Sequence, residues 1–102
     1  MVDYYEYSIP ELVAMLGVRF RDYRLRSNMT QKEVSEHSGI GLCTISRFEK
    51  GTATNMSLGT VLLLLKAIGE IDVMDSVLPE LPPSAYLLKK NKQVQRIRHK
   101  KS

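Results

Sequence analysis

The stretch TQKEVSEHSGIGLCTISRFEKG, Thr30 to Gly51, decides the fold because it contains two short helical patterns separated by Gly39-Ile40-Gly41. Thr30 followed by Glu33 is a capping box, in which each side chain satisfies the other residue's backbone N–H, so a helix over 30–38 is predicted. Gly39 is the residue type that ends helices in the left-handed conformation. The first half of the stretch therefore predicts a short helix with a defined start and stop.

The second half of the stretch predicts another short helix, over 41–50. Ile45 and Phe48 are three residues apart and form its inward-facing pair. Gly51 stands just beyond its end, as a helix terminator should. Two short helices are therefore held at a fixed angle by a tight turn.

The flanking sequence predicts three further helices and no convincing strand. Ser8 and Glu11 form a second capping box that starts a first helix ending near Ser27, with Asn28 after it. Its repeating apolar residues predict one buried stripe, composed of Leu12, Val13, Leu16, Phe20 and Tyr23. Ser57 caps a fourth helix that is closed by Gly69, and Asp72 is expected to cap a fifth over Val73–Leu78. The fold class expected is all-α with five helices.

Composition bounds what the chain can be. With 102 residues and 43% apolar content, it can build one small core. No stretch of the sequence has enough consecutive apolar residues to span a membrane, and no signal peptide is evident. A cytoplasmic protein that does not associate with a membrane is therefore expected. The single cysteine, Cys43, and two distant histidines, His37 and His99, give no disulfide or zinc spacing, so neither metal nor cofactor is expected. No nucleophile arrangement or phosphate loop indicates an enzyme.

The charge is distributed unevenly along the chain. Residues 1–83 have 8 Lys/Arg and 11 Asp/Glu, a net of −3, whereas residues 84–102 have 7 Lys/Arg and no acid, a net of +7. A linker and flexible basic tail are therefore expected over 79–102, after a domain over 8–78. Such a tail favours a polyanionic partner, and the simpler alternative is a solvated end with no specific role.

Two short helices around a glycine turn are what a helix-turn-helix requires, in which the first helix braces on the DNA backbone and the second enters the major groove. The segment MTQKEVSEHSGIGLCTISRFEKG resembles the Xre family of bacterial and phage regulators, which have the lambda-repressor-like five-helix fold. The matching features are Thr-Gln at the start of the second helix, Thr-Ile-Ser in the third and Phe-Glu-Lys-Gly at its end. The resemblance spans roughly Leu16 to Leu78.

The resemblance implies individual roles for these residues. It places four residues of the third helix at base-reading positions, namely Leu42, Cys43, Ser46 and Arg47. Arg47 is the strongest of them, since a guanidinium can pair bidentately with guanine. Gln31 is implied to meet a phosphate at the start of the second helix. Thr44 and Lys50 are implied phosphate contacts, which position the protein without reading sequence.

The sequence departs from the family pattern at the start of the third helix. Gly41 stands where the family often has Ser or Thr, and Leu42 stands where a polar residue is usual. Leu42 is therefore expected either to touch a thymine methyl or to be buried. Cys43 is expected to be a small groove-side or packing residue and not a redox switch, because there is no second cysteine.

Two more roles follow from the resemblance. Arg24 and Glu49 match positions that pair across the first and third helices in relatives, so they are expected to form a scaffold ion pair. Helix-turn-helix modules of this size usually bind two half-sites as a dimer, which implies a homodimer on a pseudo-palindromic operator. The dimer candidates are the apolar residues near the end of the domain, namely Ile71, Val73, Met74, Val77, Leu78 and Leu81, and completion of the monomer's own core is the alternative.

Three functions remain open at this stage. The first is a DNA-binding transcriptional regulator, a dimeric repressor whose tail follows flanking double-stranded DNA. The second is an antitoxin that represses its own operon and binds a toxin through the same tail, because small Xre-like proteins with C-terminal extensions resemble such antitoxins. The third is a helical adaptor that binds only protein.

Overall fold

The computed structural model describes residues 2–82, and all regular structure in this range is helical. The five helices of the all-α prediction are present, and this fold class is confirmed. They are α1, Ile9–Arg26; α2, Gln31–Ser38; α3, Leu42–Lys50; α4, Leu58–Ala67; and α5, Met74–Val77. Short 3₁₀ turns cover Tyr4–Glu6 and Ile71–Val73. The basic tail expected over 84–102 lies outside the described residues.

The chain divides into two compact units. The described part of the first unit, residues 2–72, contains α1 to α4 and therefore the whole helix-turn-helix segment. The second unit begins at Val73, and its described part is α5 with the residues that follow to 82. The candidate site lies entirely within the first unit.

The helix ends follow the signals in the sequence. Ser8 and Glu11 form both bonds of a capping box, with Glu11 N–H donating to Ser8 Oγ at 3.3 Å and Ser8 N–H donating to a Glu11 carboxylate oxygen at 2.8 Å. The end of α1 is closed by Asn28 at φ 57°, a left-handed conformation that asparagine tolerates. Ser57 caps α4 and Gly69 closes it at φ 78°.

The start of the last helix differs from the prediction. Asp72 does not cap a helix over Val73–Leu78, because it lies inside the 3₁₀ turn Ile71–Val73. Val73 is the N-cap of α5, and no side chain caps this helix. With a single turn of α-helix, α5 has few backbone hydrogen bonds of its own.

The core of the first unit is small and lies where four helices meet. Its buried apolar residues are Phe20, Val34, Ile45, Phe48, Leu64 and Ile68. Helix α1 packs on α3, and α2 packs on both α3 and α4. The rings of Phe20 and Phe48 lie 5.7 Å apart between centroids and join α1 to α3. This packing fixes α2 and α3 relative to each other, as a helix-turn-helix needs.

The buried face of α1 is not the predicted stripe. Phe20 is buried as expected, but Leu16 is 52% exposed and Tyr23 is 40% exposed, so the prediction was wrong for both. The residues buried with Phe20 are Gly17 and Arg24. Neither residue has an apolar side chain, so the spacing of apolar residues could not identify this part of the buried face. The predicted stripe was therefore displaced to one side of the face that is buried.

Gly17 is buried because α3 passes directly over it. A Cβ at this position would lie 1.7 Å from the carbonyl oxygen of Phe48, a distance that no side-chain atom can adopt. Only glycine therefore permits the contact between α1 and α3. This close approach sets the distance at which α3 packs on α1.

Candidate nucleic-acid interface

The turn between α2 and α3 is held by its backbone conformation and by two serines. Thr30 and Glu33 form both bonds of the capping box that starts α2, and Gly39 ends it at φ 76°. Ser35 Oγ donates to the carbonyl oxygen of Ile40 at 2.6 Å. The N–H of Ile40 donates to Ser38 Oγ at 3.1 Å. Both backbone polar groups of Ile40 are thus satisfied, which stabilises the turn against rearrangement.

Helix α3 has one buried face and one free face. Ile45 and Phe48 are buried as predicted, and Glu49 is buried beside them. The six candidate DNA contacts on this helix lie on the other face or at its margins: Leu42, Cys43, Thr44, Arg47 and Lys50 are exposed and Ser46 is half-buried. An exposed face along a fixed helix is the surface that can enter a groove.

The exposure of Leu42 at the start of α3 bears on one of its two alternatives, burial. Leu42 is 46% exposed, so it is not a core residue and the burial alternative was wrong. Gly41 takes an extended N-cap conformation at φ −63° and ψ 147°, and no side chain caps the helix. The first-turn N–H groups of α3 therefore have no side-chain acceptor and lie next to Leu42 and Cys43.

Arg24 and Glu49 form a bidentate ion pair beneath this surface. Arg24 Nε donates to one carboxylate oxygen of Glu49 at 2.7 Å and Arg24 Nη2 donates to the other at 2.8 Å. Their side chains are 9% and 1% exposed. Arg24 Nη1 also donates to the carbonyl oxygen of Met29 at 2.8 Å. Arg24 thus links α1, the loop before α2, and α3.

The hydrogen bond to Glu49 raises the pKa of Arg24 above its ordinary value, and burial of the guanidinium opposes this rise only in part. Arg24 therefore remains a cation at every relevant pH. In the described residues, no buried side-chain nitrogen or oxygen lacks a hydrogen-bond partner. The paired charges are therefore fully satisfied, the condition under which a buried ion pair persists.

Gln31 belongs to the same network. It is the first residue of α2, at the helix N-terminus where a phosphate contact was predicted. Its Nε2 donates to Glu49 Oε1 at 3.1 Å. The amide nitrogen has two N–H donors, so the second remains for an external acceptor. The network therefore connects the predicted phosphate contact on α2 to the buried face of α3.

The dimer candidates divide into two groups by exposure. Ile71 and Val73 are half-buried. Met74 is 52% exposed, Val77 71% and Leu78 86%. All three lie in the second unit, which begins at Val73.

Sequence reasoning did not identify several residues that shape this site. The two serines that bind Ile40 gave no signal, because serine is common on helix surfaces and in turns. Gly17 was not identified because an isolated glycine in a helix does not reveal what crosses it. The bond from Gln31 to Glu49 spans 18 positions and could not be read from local spacing.

Two other kinds of site are absent from residues 2–82. No cluster of three or more His, Cys, Asp or Glu side chains there is arranged to hold a metal ion. Within the same range, no helix has both the length and the apolar character needed to cross a lipid bilayer.

Comparison with known families gives a result that agrees with this geometry. The family model for a helix-turn-helix domain matches residues 15–73, more than half of the chain. The protein belongs to the helix-turn-helix domain family, whose fold and exposed third helix define a class of DNA-binding regulators. No curated protein and no solved structure is similar enough to count as a match.

Proposed function

We propose that this protein is a sequence-specific regulator of transcription that binds double-stranded DNA with α3 in the major groove. The observation that carries the proposal is the free face of α3, with Arg47 exposed on it while Glu49 is fixed from behind by Arg24. A helix held by a buried bidentate pair presents its outer side chains in one orientation, as base reading requires.

Each residue on this face has a proposed role. Arg47 pairs with a guanine, Ser46 and Cys43 line the same base edges, and Leu42 touches a thymine methyl. Thr44, at the edge of the face, and Lys50, the last residue of α3, contact phosphates. Gln31 uses its free amide N–H for a phosphate at the start of α2.

Membership of the Xre family is part of the proposal. It is supported by the helix ends of the segment that resembles this family, since Thr30 caps α2 and Gly51 closes α3 at φ 77°. A dimer that binds two half-sites about 34 Å apart as a repressor follows from this assignment. Met74, Val77 and Leu78 supply exposed apolar surface for that dimer.

The experiment is binding of the purified chain to the DNA upstream of its own gene. Arg47→Ala is expected to weaken specific binding by about 1–3 kcal/mol, on the order of 5- to 150-fold, and to relax preference at one base pair. Arg21→Ala removes an exposed arginine from α1 and serves as the matched control. Equal affinity of Arg47→Ala and wild type would count against α3 as the reading helix and favour the protein-binding adaptor.

An antitoxin role is a second proposal within the same class. The exposed apolar residues of α5 and the basic sequence that follows them give a protein partner two distinct features to bind. A toxin gene beside this gene, and a complex between the two purified products, would support it. If no such complex forms and the protein binds its DNA alone, the antitoxin role is contradicted and the regulator role stands.

A further inference from the structure

The first unit has an apolar surface that its own core does not cover. Helix α1 presents four partly or largely exposed apolar residues, which we name the α1 stripe: Ile9, Leu12, Leu16 and Tyr23. At about 100° per residue, Leu12, Leu16 and Tyr23 lie within about 40° of one another on the helix surface. Leu16 is 52% exposed and Ile9 is 70% exposed. Exposed apolar residues along one side of a helix are typical of a contact with a partner.

The α1 stripe is bordered by two arginines stacked on tyrosines. The guanidinium of Arg26 lies 4.6 Å from the centroid of the Tyr23 ring. The guanidinium of Arg19 lies 5.8 Å from the Tyr4 ring, and Arg19 Nη2 donates to the Tyr4 hydroxyl at 3.1 Å. Arg26 also lies 3.8 Å from Glu70, and its side chain remains 70% exposed. Tyrosine and arginine are the residue types enriched where protein interfaces gain most of their energy.

The α1 stripe lies away from one contact of α1 with α3. Ala14 and Val18 form the flank of α1 that faces Gly51 at the end of α3. The α1 stripe lies about 160° around the helix from that flank.

The second unit contains a segment of complementary chemistry, which we name the acidic arm: residues 73–82. It has two acids, Asp75 and Glu80, and no base. Its exposed apolar residues are Met74 at 52%, Val77 at 71%, Leu78 at 86% and Leu81 at 66%. An apolar segment with negative charge fits an apolar stripe bordered by positive charge.

We propose that the acidic arm of one copy binds the α1 stripe of a second copy, and that the second copy returns the contact. Charge selects this occupant. A second α1 stripe would set Arg19 and Arg26 against the same arginines. Reciprocal exchange gives a closed two-fold dimer and doubles the buried surface, which one short segment alone would leave below the size of a stable interface.

This inference deepens the dimer of the proposed function by naming the surface that receives the apolar residues of α5. It is tested without DNA, so its failure and the failure of DNA binding are separate results. Self-association of the full chain is measured by sedimentation equilibrium at low salt, where charge contacts are least screened. The wild type is expected to be a dimer.

Two charge-reversed variants test the contact. Arg19→Glu/Arg26→Glu reverses the stripe, and Asp75→Lys/Glu80→Lys reverses the arm. Each variant alone sets like charges together and is expected to associate about ten-fold or more weakly than the wild type. The control, Arg21→Glu/Lys66→Glu, reverses as many charges away from both surfaces and is expected to match the wild type.

Mixing the two reversed variants is the decisive step. In the mixed dimer, the native arm meets the native stripe and the reversed arm meets the reversed stripe, so association is expected to return. A mixture no stronger than its components would overturn the proposal in favour of an arm bound within its own chain. A stripe-reversed variant that associates as strongly as the wild type would overturn it in favour of a contact between two arms. A monomeric wild type would overturn it as well.

Discussion

At Gly17 the carbonyl group of Phe48 approaches α1 so closely that a methyl group has no room. Gly17→Ala is therefore expected to force α1 and α3 apart, at a cost of about 1–3 kcal/mol or more in the free energy of unfolding. The obstacle is backbone and not a flexible side-chain end, so relaxation is limited. Urea unfolding measures the effect.

Gly59→Ala is the matched control within another helix. A Cβ at Gly59 meets nothing within 4 Å. Because alanine is the better helix former, this change is expected to stabilise the protein by about 0.5–1 kcal/mol. If the two substitutions shift stability in the same direction, the close approach at Gly17 does not exist in solution.

The buried pair of Arg24 and Glu49 gives a second prediction at this scale. Glu49→Ala leaves Arg24 buried without its partner and is expected to cost about 3–5 kcal/mol in the free energy of unfolding. Arg24→Met/Glu49→Leu, which removes both charges, is expected to recover most of that loss. Circular dichroism through a denaturant series measures both.

The same pair of variants separates folding from DNA binding. Glu49 also holds Gln31 at 3.1 Å, so the double variant is expected to regain stability more fully than DNA affinity. If the double variant recovered both its stability and its DNA affinity in full, the hydrogen bonds of Glu49 would contribute to stability and not to DNA binding. A double variant as unstable as Glu49→Ala would contradict the ion-pair argument itself.

At the scale of the element, α2 is a short helix whose start depends on one carboxylate. Hydrogen bonds from the backbone and side chain of Thr30 lower the pKa of Glu33. A carboxyl with a lowered folded-state pKa stabilises the fold above its unfolded pKa, and this contribution is lost as pH falls through the folded pKa. Stability is therefore expected to fall on acidification in part through Glu33.

Glu33→Gln tests this pH dependence. The variant is expected to be less stable than the wild type at neutral pH, and the difference is expected to shrink as pH is lowered toward and below the folded-state pKa of Glu33. Glu36→Gln removes an exposed carboxylate of α2 outside the capping box and is the control. Thermal unfolding from neutral to acidic pH measures all three proteins, and a pH-independent difference for Glu33→Gln would refute the role of its ionised form.

At the scale of the whole molecule, the charge asymmetry predicts two separable contributions to DNA binding. A chain ending at Ser84 removes all 7 Lys/Arg of residues 84–102. If these residues follow flanking DNA, the salt dependence of binding is expected to become shallower by about 0.9 for each phosphate that is no longer neutralised. The preferred sequence is expected to remain the same, since α3 is unchanged.

The corresponding control is Arg47→Ala in the full-length chain. It is expected to change sequence preference while the salt slope falls by about one unit at most. An unchanged slope in the shortened chain would assign the basic residues to a protein partner or to solubility. Titration of affinity against salt, on specific and unrelated DNA, distinguishes these outcomes.

The sequence alone predicted the starts and stops of α1 to α4, because N-caps, capping boxes and glycine or asparagine terminators act within a few residues. It also predicted the five-helix class and the inward-facing pair of α3, Ile45 and Phe48. These signals can be recognised in a short stretch of sequence because the hydrogen bonds and backbone conformations behind them involve residues only a few positions apart.

The tertiary structure decided the contacts between residues that are far apart in the sequence. Which flank of α1 is buried depended on Gly17 and Arg24, a glycine that admits a crossing backbone and a charge that finds its partner 25 positions away. Leu16 and Tyr23 remained at the surface for the same reason, although their spacing suggested a core. Burial is set by what packs against a residue, and for α1 that was α3.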